Sequence, residues 1–291
     1  TFIALIWVGS LMTIKAQADH IGLARAPHAS FTSGHISVGA PSPNVPSPLL
    51  SYAGAFDAIA HEFQHGVNAS TLRFIDSPSS VAEGIHSEIL EESIADIFAA
   101  FAEHWHRPGP GNVTIGEAVA APGYPPTRDL SHPAKCLDVG CEGDDCAHRA
   151  CPDHLSKLDP KADTHRGTGI SSNAWYLMTL GGTNDTSQMT VSDPLGWDAS
   201  LRVWYSLVQS RAAPPSSRFR DVAFASIALA RHGVRAGGGK AAACAWVAVG
   251  VLDAKLVKRF WDITCESHAL NDAAHAAPWP QAVSRCSSRP S

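Results

Sequence analysis

Residues 51–68 read SYAGAFDAIAHEFQHGVN, and residues 89–98 read ILEESIADIF. The first stretch has apolar residues at helical spacing and no breaker until Gly66, which predicts a helix from about Tyr52. Within it, His61-Glu62-Phe63-Gln64-His65 sets two histidines four residues apart. On a helix that spacing puts both imidazoles on one face, where they can converge on a single zinc ion. Glu62, one position on, is placed to take a proton from a water at that ion rather than to bind the ion itself. The chain has 15 histidines, so a chance match of this kind has a probability of roughly a few per cent. Taken alone, the motif is only suggestive.

The second stretch supplies what the first lacks. A long helix is predicted from Ser80 to about Trp105, opened by a Ser80/Glu83 capping box and closed before Pro108. Glu92 and Asp96 are four apart and share a face. A carboxylate from Glu92 completes a three-ligand zinc site and leaves a fourth position for water, as a catalytic zinc requires. Asp96 suits the spare N–H of a ligand histidine, fixing its tautomer and orientation. Ile89, Ile94, Ile97 and Phe98 show that this helix packs against something. Its carboxylate face then meets either solvent or a site, and the histidine pair favours the site.

Composition narrows the class. Hydrophobic residues at 45% and charged residues at 17% describe a globular chain able to bury a core. A net charge of -5 without a basic stripe argues against nucleic acid as a partner. FIALIWVGSLM (2–12) is apolar but too short to span a bilayer. Followed by Ala16-Gln17-Ala18, it reads either as a clipped signal sequence or as a buried strand. Of the seven cysteines, Cys136, Cys141, Cys146 and Cys151 sit at even spacing in a short acidic stretch. Two local disulfides of a secreted protein are the preferred reading, and a zinc knot is disfavoured because the short Cys-x-x-Cys turns are missing. Cys265 with Cys286 is a candidate third bridge, and Cys244, in an Ala-rich helical stretch, reads as a buried free thiol.

The remaining pattern is mostly helical. After the Pro-rich 40–50 and a loop-rich 108–165, helices are expected at about 168–180, 198–211, 218–232 and 240–250, with one more beyond Leu252.

HEFQH followed by EESIADIF resembles the thermolysin family of metallopeptidases, whose third zinc ligand lies in an N-E-A-x-S-D-x-F-type segment. The resemblance makes Glu92 the ligand and Asp96 its supporting carboxylate, with Glu91 standing where the family usually has Asn. TRDLSHPAK (127–135) is similar to the family's L-R-S-M-S-D-P-x-K segment and implies that Arg128 contacts the substrate carbonyl, a task suited to a guanidinium fork. ADTHRGTGISSNAWYLM (162–178) resembles a segment of the pseudolysin and vibriolysin branch. By that likeness His165 stabilises a developing oxyanion and Asp163 orients it. Asp57, Glu103, Asn112 and Glu117 match calcium-binding positions, and their oxygens suit one Ca²⁺. The likeness covers roughly residues 50–252. It departs in a short strand-rich lobe before the zinc motif, where His28-Ala29 is a loose match to a cleft-edge Asn-Ala pair. It departs again in the interval between His65 and Glu92, which holds Phe74 but no tyrosine.

The expectation is therefore an α+β fold of thermolysin type: residues 1–50 as a shortened strand-rich lobe, 51–252 as the catalytic region with its helical lobe, and 253–291 as a tail. Its function would be that of a secreted, monomeric zinc endopeptidase acting on protein or peptide substrates, with neither nucleic acid nor membrane as partner. An inactive metal-binding relative acting as an interaction module is the alternative. A zinc aminopeptidase is a weaker rival, because no G-x-M-E-N motif is present.

Overall fold

The structure is a computed structural model. It describes residues 13–16, 29–32, 35–38, 52–74, 81–107, 112–122, 124–135, 150–159, 161, 163–234 and 236–265. The mixture of helices with a few short strands is an α+β fold.

Three strands precede the helices. β1 (Thr13–Ala16), β2 (Ala29–Thr32) and β3 (His35–Val38) form a sheet of order β1-β3-β2. β2 and β3 pair antiparallel with Phe31 opposite Ile36, and β1 runs parallel to β3. Ile36 is fully buried, and β2 packs against the first helix. Thr13–Ala16 thus forms a strand at the end of the apolar N-terminal stretch, whereas residues 2–12 and His28 lie outside the described residues.

Helix α1 (Phe56–Thr71) follows a single 3-10 turn at Tyr52–Gly54. Asp57 in its first turn complements the positive end of the helix dipole. Helix α2 (Val81–His106) packs along it and forms the centre of the molecule. The sequence pattern suggests one packed face for α2, yet Leu90, Glu91, Ser93, Ala95 and Asp96 are as buried as Ile89, Ile94 and Ile97. The cause is that α1 and later helices cover it from several sides. A helix enclosed all round keeps only those polar groups that find partners. Ser80 and the Glu83 side chain lie outside the described residues, so the predicted capping box does too.

A short helix α3 (Thr164–Gly167), absent from the sequence expectation, leads into the expected series α4 (Gly169–Leu180), α5 (Trp197–Gln209), α6 (Phe219–Gly233), α7 (Gly238–Ala248) and α8 (Ala254–Trp261). Short ladders β4 (Thr114–Ile115) with β5 (Arg128–Asp129) and β6 (Gly182–Thr183) with β7 (Thr190–Val191) pin the intervening loops. Trp175, Trp204 and Trp246 are fully buried in one core shared by α2 and the helical lobe, and the Trp246 indole N–H donates to Ser226 Oγ at 2.8 Å. Among the described residues no helix is long and apolar enough to cross a membrane.

The cysteine expectations need correction. Cys244 on α7 is not a free thiol, and Cys265 does not await Cys286: the two are joined to each other. Asp253 caps α8 by accepting from the N–H groups of Lys255 and Leu256, and Val257 anchors that helix in the core. With α8 packed on α7, the chain returns so that Cys265 meets Cys244. Cys151 is disulfide-bonded as well, while Cys136, Cys141, Cys146 and Cys286 lie outside the described residues.

Candidate metal centre

The packing of α1 on α2 makes the site. His61 and His65 project from one face of α1 with their Nε2 atoms 2.9 Å apart. From α2, Glu92 Oε2 comes within 3.3 Å of His61 Nε2 and 3.7 Å of His65 Nε2. That oxygen is buried and accepts no hydrogen bond among the described residues. Two imidazole nitrogens and one carboxylate oxygen thus face a common point, each offering one ligand atom. The donor set, two nitrogens and a carboxylate, is the one catalytic zinc sites use. An orphaned buried carboxylate oxygen between two imidazoles is the fit expected of a cation-binding point.

Behind the imidazoles stand two carboxylates. His61 Nδ1–H donates to Asp96 Oδ1 at 2.9 Å, and Asp96, fully buried, is paired at 2.7 Å with the Nε of Arg128 on β5. His65 Nδ1–H donates to Glu91 at 2.7 Å, and Asn68 Nδ2 reaches the same carboxylate at 3.3 Å. Each imidazole is therefore held from the rear, which directs Nε2 toward the shared point. Sequence reading identified Asp96 in this role and missed Glu91 and Asn68. The usable signal was spacing: Asn68 lies three residues beyond His65 and so on the same side of α1.

The electrostatics agree with a cation site. Burial opposes protonation of His61, but the carboxylates of Asp96 and Glu92 beside it outweigh that and push its pKa up to about 10. Burial likewise raises Glu92, yet His61 above all, with His165 and His65, holds it well below the usual carboxylate range. Asp96 is also held low: Arg128 and His61 outweigh its burial.

Around this point the other predicted residues take up places. Glu62 is buried next to His61 on α1. His165, in α3, brings Nε2 to 3.4 Å from Glu92 Oε2. Its other nitrogen meets Asp163 Oδ1 at 2.7 Å, and Asp163 also caps the helix by accepting the His165 backbone N–H. Arg128 donates from Nε to Asp96, and its Nη2 lies 3.5 Å from His61 Nδ1, beside that N–H donor and not bonded to it. Phe74 is buried in the hydrophobic core.

A second cluster lies further along α1 and α2. Carboxylate oxygens of Asp57, Glu103 and Glu117 lie within 4.8 Å of one another. Asp57 also accepts the N–H of Gly116. Burial, then the neighbouring Glu117 and Asp57, push the Glu103 pKa up to about 7, as expected where like charges share a pocket. Asn112 presents Nδ2 to Glu103 at 3.0 Å and to Glu117 at 2.6 Å, while its Oδ1 accepts from Thr114. In this arrangement Asn112 braces Glu103 and Glu117 as a donor.

The family model described as the thermolysin metallopeptidase alpha-helical domain matches residues 85–251, more than half of the chain. That span holds Glu92, Asp96, Arg128, Asp163 and His165, with the histidine pair just upstream. Among solved structures, the precursor of protealysin, a metalloproteinase from Serratia proteamaculans, is similar in fold, with a TM-score of 0.59 and 21% identity. The alignment covers 77% of this chain and 65% of that one, so this chain spans just under two thirds of that protein's length. No curated protein matches. From the family match across the helical lobe, the chain belongs to the thermolysin family of metallopeptidases.

Proposed function

We propose that this chain is the zinc-binding and catalytic part of an endopeptidase. The observation that carries the reading is the convergence of His61 Nε2, His65 Nε2 and Glu92 Oε2, with His165 at the rim. Those three side chains would hold the ion. A zinc ion held there supplies Lewis acidity, polarising a carbonyl and acidifying a water.

The protein's own groups then divide the work. Glu62, next to the ligand pair, takes the attacking water's proton and passes it to the leaving amine, the double duty of a general base and acid. His165, oriented by Asp163, donates from Nε2 to the oxygen on which negative charge develops. Arg128, fixed by Asp96, offers its remaining N–H groups to the substrate carbonyl. Asp57, Glu103 and Glu117 bind one calcium ion that neutralises their mutual repulsion. The Cys244–Cys265 disulfide suits an oxidising compartment, and a secreted monomer acting on proteins or peptides fits that setting.

A second reading, a metal-binding relative without activity, is favoured by one feature, the lack of a tyrosine between His65 and Glu92. Zinc content per chain, with cleavage of casein and of a quenched peptide with and without 1,10-phenanthroline, separates the two. One zinc with chelator-sensitive cleavage, lost in Glu62→Gln while zinc is kept, is the expected result. Zinc without cleavage favours the inactive relative. A parent protein that binds no zinc refutes both.

A further inference from the structure

Glu91 and Glu92 are adjacent, buried or nearly so, and both touch the histidine pair, yet they approach it from opposite sides. Glu92 faces the Nε2 side, where its oxygen lies within reach of both ligand nitrogens. Glu91 faces the rear of His65, with Oε1 and Oε2 each 2.7 Å from Nδ1. Residues one apart on a helix point about 100° from each other, and this rotation lets one carboxylate meet the metal point while its neighbour grips the ring behind it.

The two rear carboxylates differ in what balances them. Asp96 shares its charge with the Arg128 guanidinium. Glu91 is 4% exposed, and no lysine or arginine pairs with it among the described residues. Its other donor is the neutral amide of Asn68, which is itself held through its Oδ1 by Gln64 at 2.8 Å. The Glu91 carboxylate is therefore directed at the His65 N–H.

We propose that Glu91 is a positioning residue of the metal centre, its carboxylate accepting the His65 Nδ1 proton so that the ring presents Nε2 as a strengthened ligand. The proposal rests on the zinc-binding reading above, though not on peptidase activity. A carboxylate accepts this proton more strongly than an amide does, so it makes the imidazole the more electron-rich ligand. Zinc is then bound more tightly than it would be with Asn or Gln at this position.

The test uses the full chain and its Glu91→Gln and Glu91→Ala variants, with Zn²⁺ affinity measured by competition against a chromogenic chelator. Thermal unfolding of the metal-free proteins shows whether the variants are folded. Loss of an outer partner of this kind weakens metal binding by roughly 10–100-fold, and Glu91→Ala is expected in that range. Glu91→Gln keeps an acceptor without the charge and should fall between Ala and the parent. In the zinc-loaded parent the His65 Nδ1 proton should resonate far downfield, and it should move upfield in Glu91→Gln, a change that a merely structural role would not produce. An affinity for Zn²⁺ within twofold of the parent in folded Glu91→Ala overturns the proposal. If Glu91→Ala does not fold, the same result in Glu91→Gln, with an unmoved proton signal, overturns it. A parent that binds zinc but cleaves nothing removes the peptidase reading and leaves this one standing, whereas a parent without zinc removes both.

Discussion

Replacing Asp96 by asparagine deletes one charge while keeping the side chain's shape, and the structure allows two separate consequences to be worked out. Asp96 is fully buried and binds both His61 Nδ1 and Arg128 Nε. The Arg128 side chain is only 18% exposed, so it has little water to fall back on. Removing one partner of a buried ion pair costs about 3–5 kcal/mol. The amide still accepts one hydrogen bond and Arg128 keeps some hydration, which places the cost near the lower bound, about 3 kcal/mol. For a domain of this size, about 2–4 °C are lost per kcal/mol, hence a fall of about 6–12 °C in Tm without metal. The second consequence concerns the ion. With Asp96 neutral, the Arg128 charge near His61 is unbalanced and repels a cation, and His61 loses its strong acceptor. Zinc affinity should drop at least 10-fold, and up to about 100-fold. Thermal unfolding in a chelating buffer reads the first effect, and chelator competition reads the second. A Tm within 2 °C of the parent together with a zinc affinity within threefold would refute the argument that Asp96 couples the metal site to Arg128.

Other consequences are open to equally direct measurement. Cys244→Ala with Cys265→Ala opens a link between residues 21 apart and should lower stability by roughly 3 kcal/mol, seen as a lower urea midpoint with an unchanged far-UV spectrum. An unchanged midpoint would mean that packing of α8 on α7 holds this end without the bond. His86 packs against Phe219 with a buried Nδ1 that has no hydrogen-bond partner among the described residues, and burial lowers its pKa below 6.5. The unfolded chain then binds the extra proton more readily, so this contribution to stability is lost as pH falls below about 6.5 and is fully present above it. His86→Gln should flatten the dependence of unfolding free energy on pH between about 6.5 and 5, and an identical slope would count against it. Millimolar calcium should raise the Tm of the parent and should do so much less in Glu103→Gln, because that variant already relieves the repulsion among Glu103, Glu117 and Asp57. Equal shifts in both proteins would place calcium elsewhere.

Local periodicity made most of the helices and the side chains that meet at the candidate site legible. His61 with His65 and Glu92 with Asp96 follow from i, i+4 spacing, and the helices α4 to α7 lie within two or three residues of their expected limits. What escaped was set by packing between elements. Cys244 looked like a buried thiol because nothing in an Ala-rich helix announces that α8 folds back to deliver Cys265. Which end of the Asn112 amide meets the acids is likewise set by packing, because Thr114 claims the oxygen.

Glu91 is the most informative of these cases, because the same sequence feature supports two opposite readings. As a substitution for Asn beside the ligand, it weakens the family likeness. Placed against His65 Nδ1, it supplies a stronger acceptor at the rear of a ligand than an amide would. Only the burial of α2 on all sides distinguishes the two. On a half-exposed helix, Glu91 would turn to water and its charge would be of little account. Enclosed between α1 and the helical lobe, it cannot, and its carboxylate stays against the His65 ring. The candidate metal site of this chain is in that sense specified by the packing of two helices as much as by His61, His65 and Glu92. A variant that loosens α1 from α2 should therefore lose zinc even with His61, His65 and Glu92 intact.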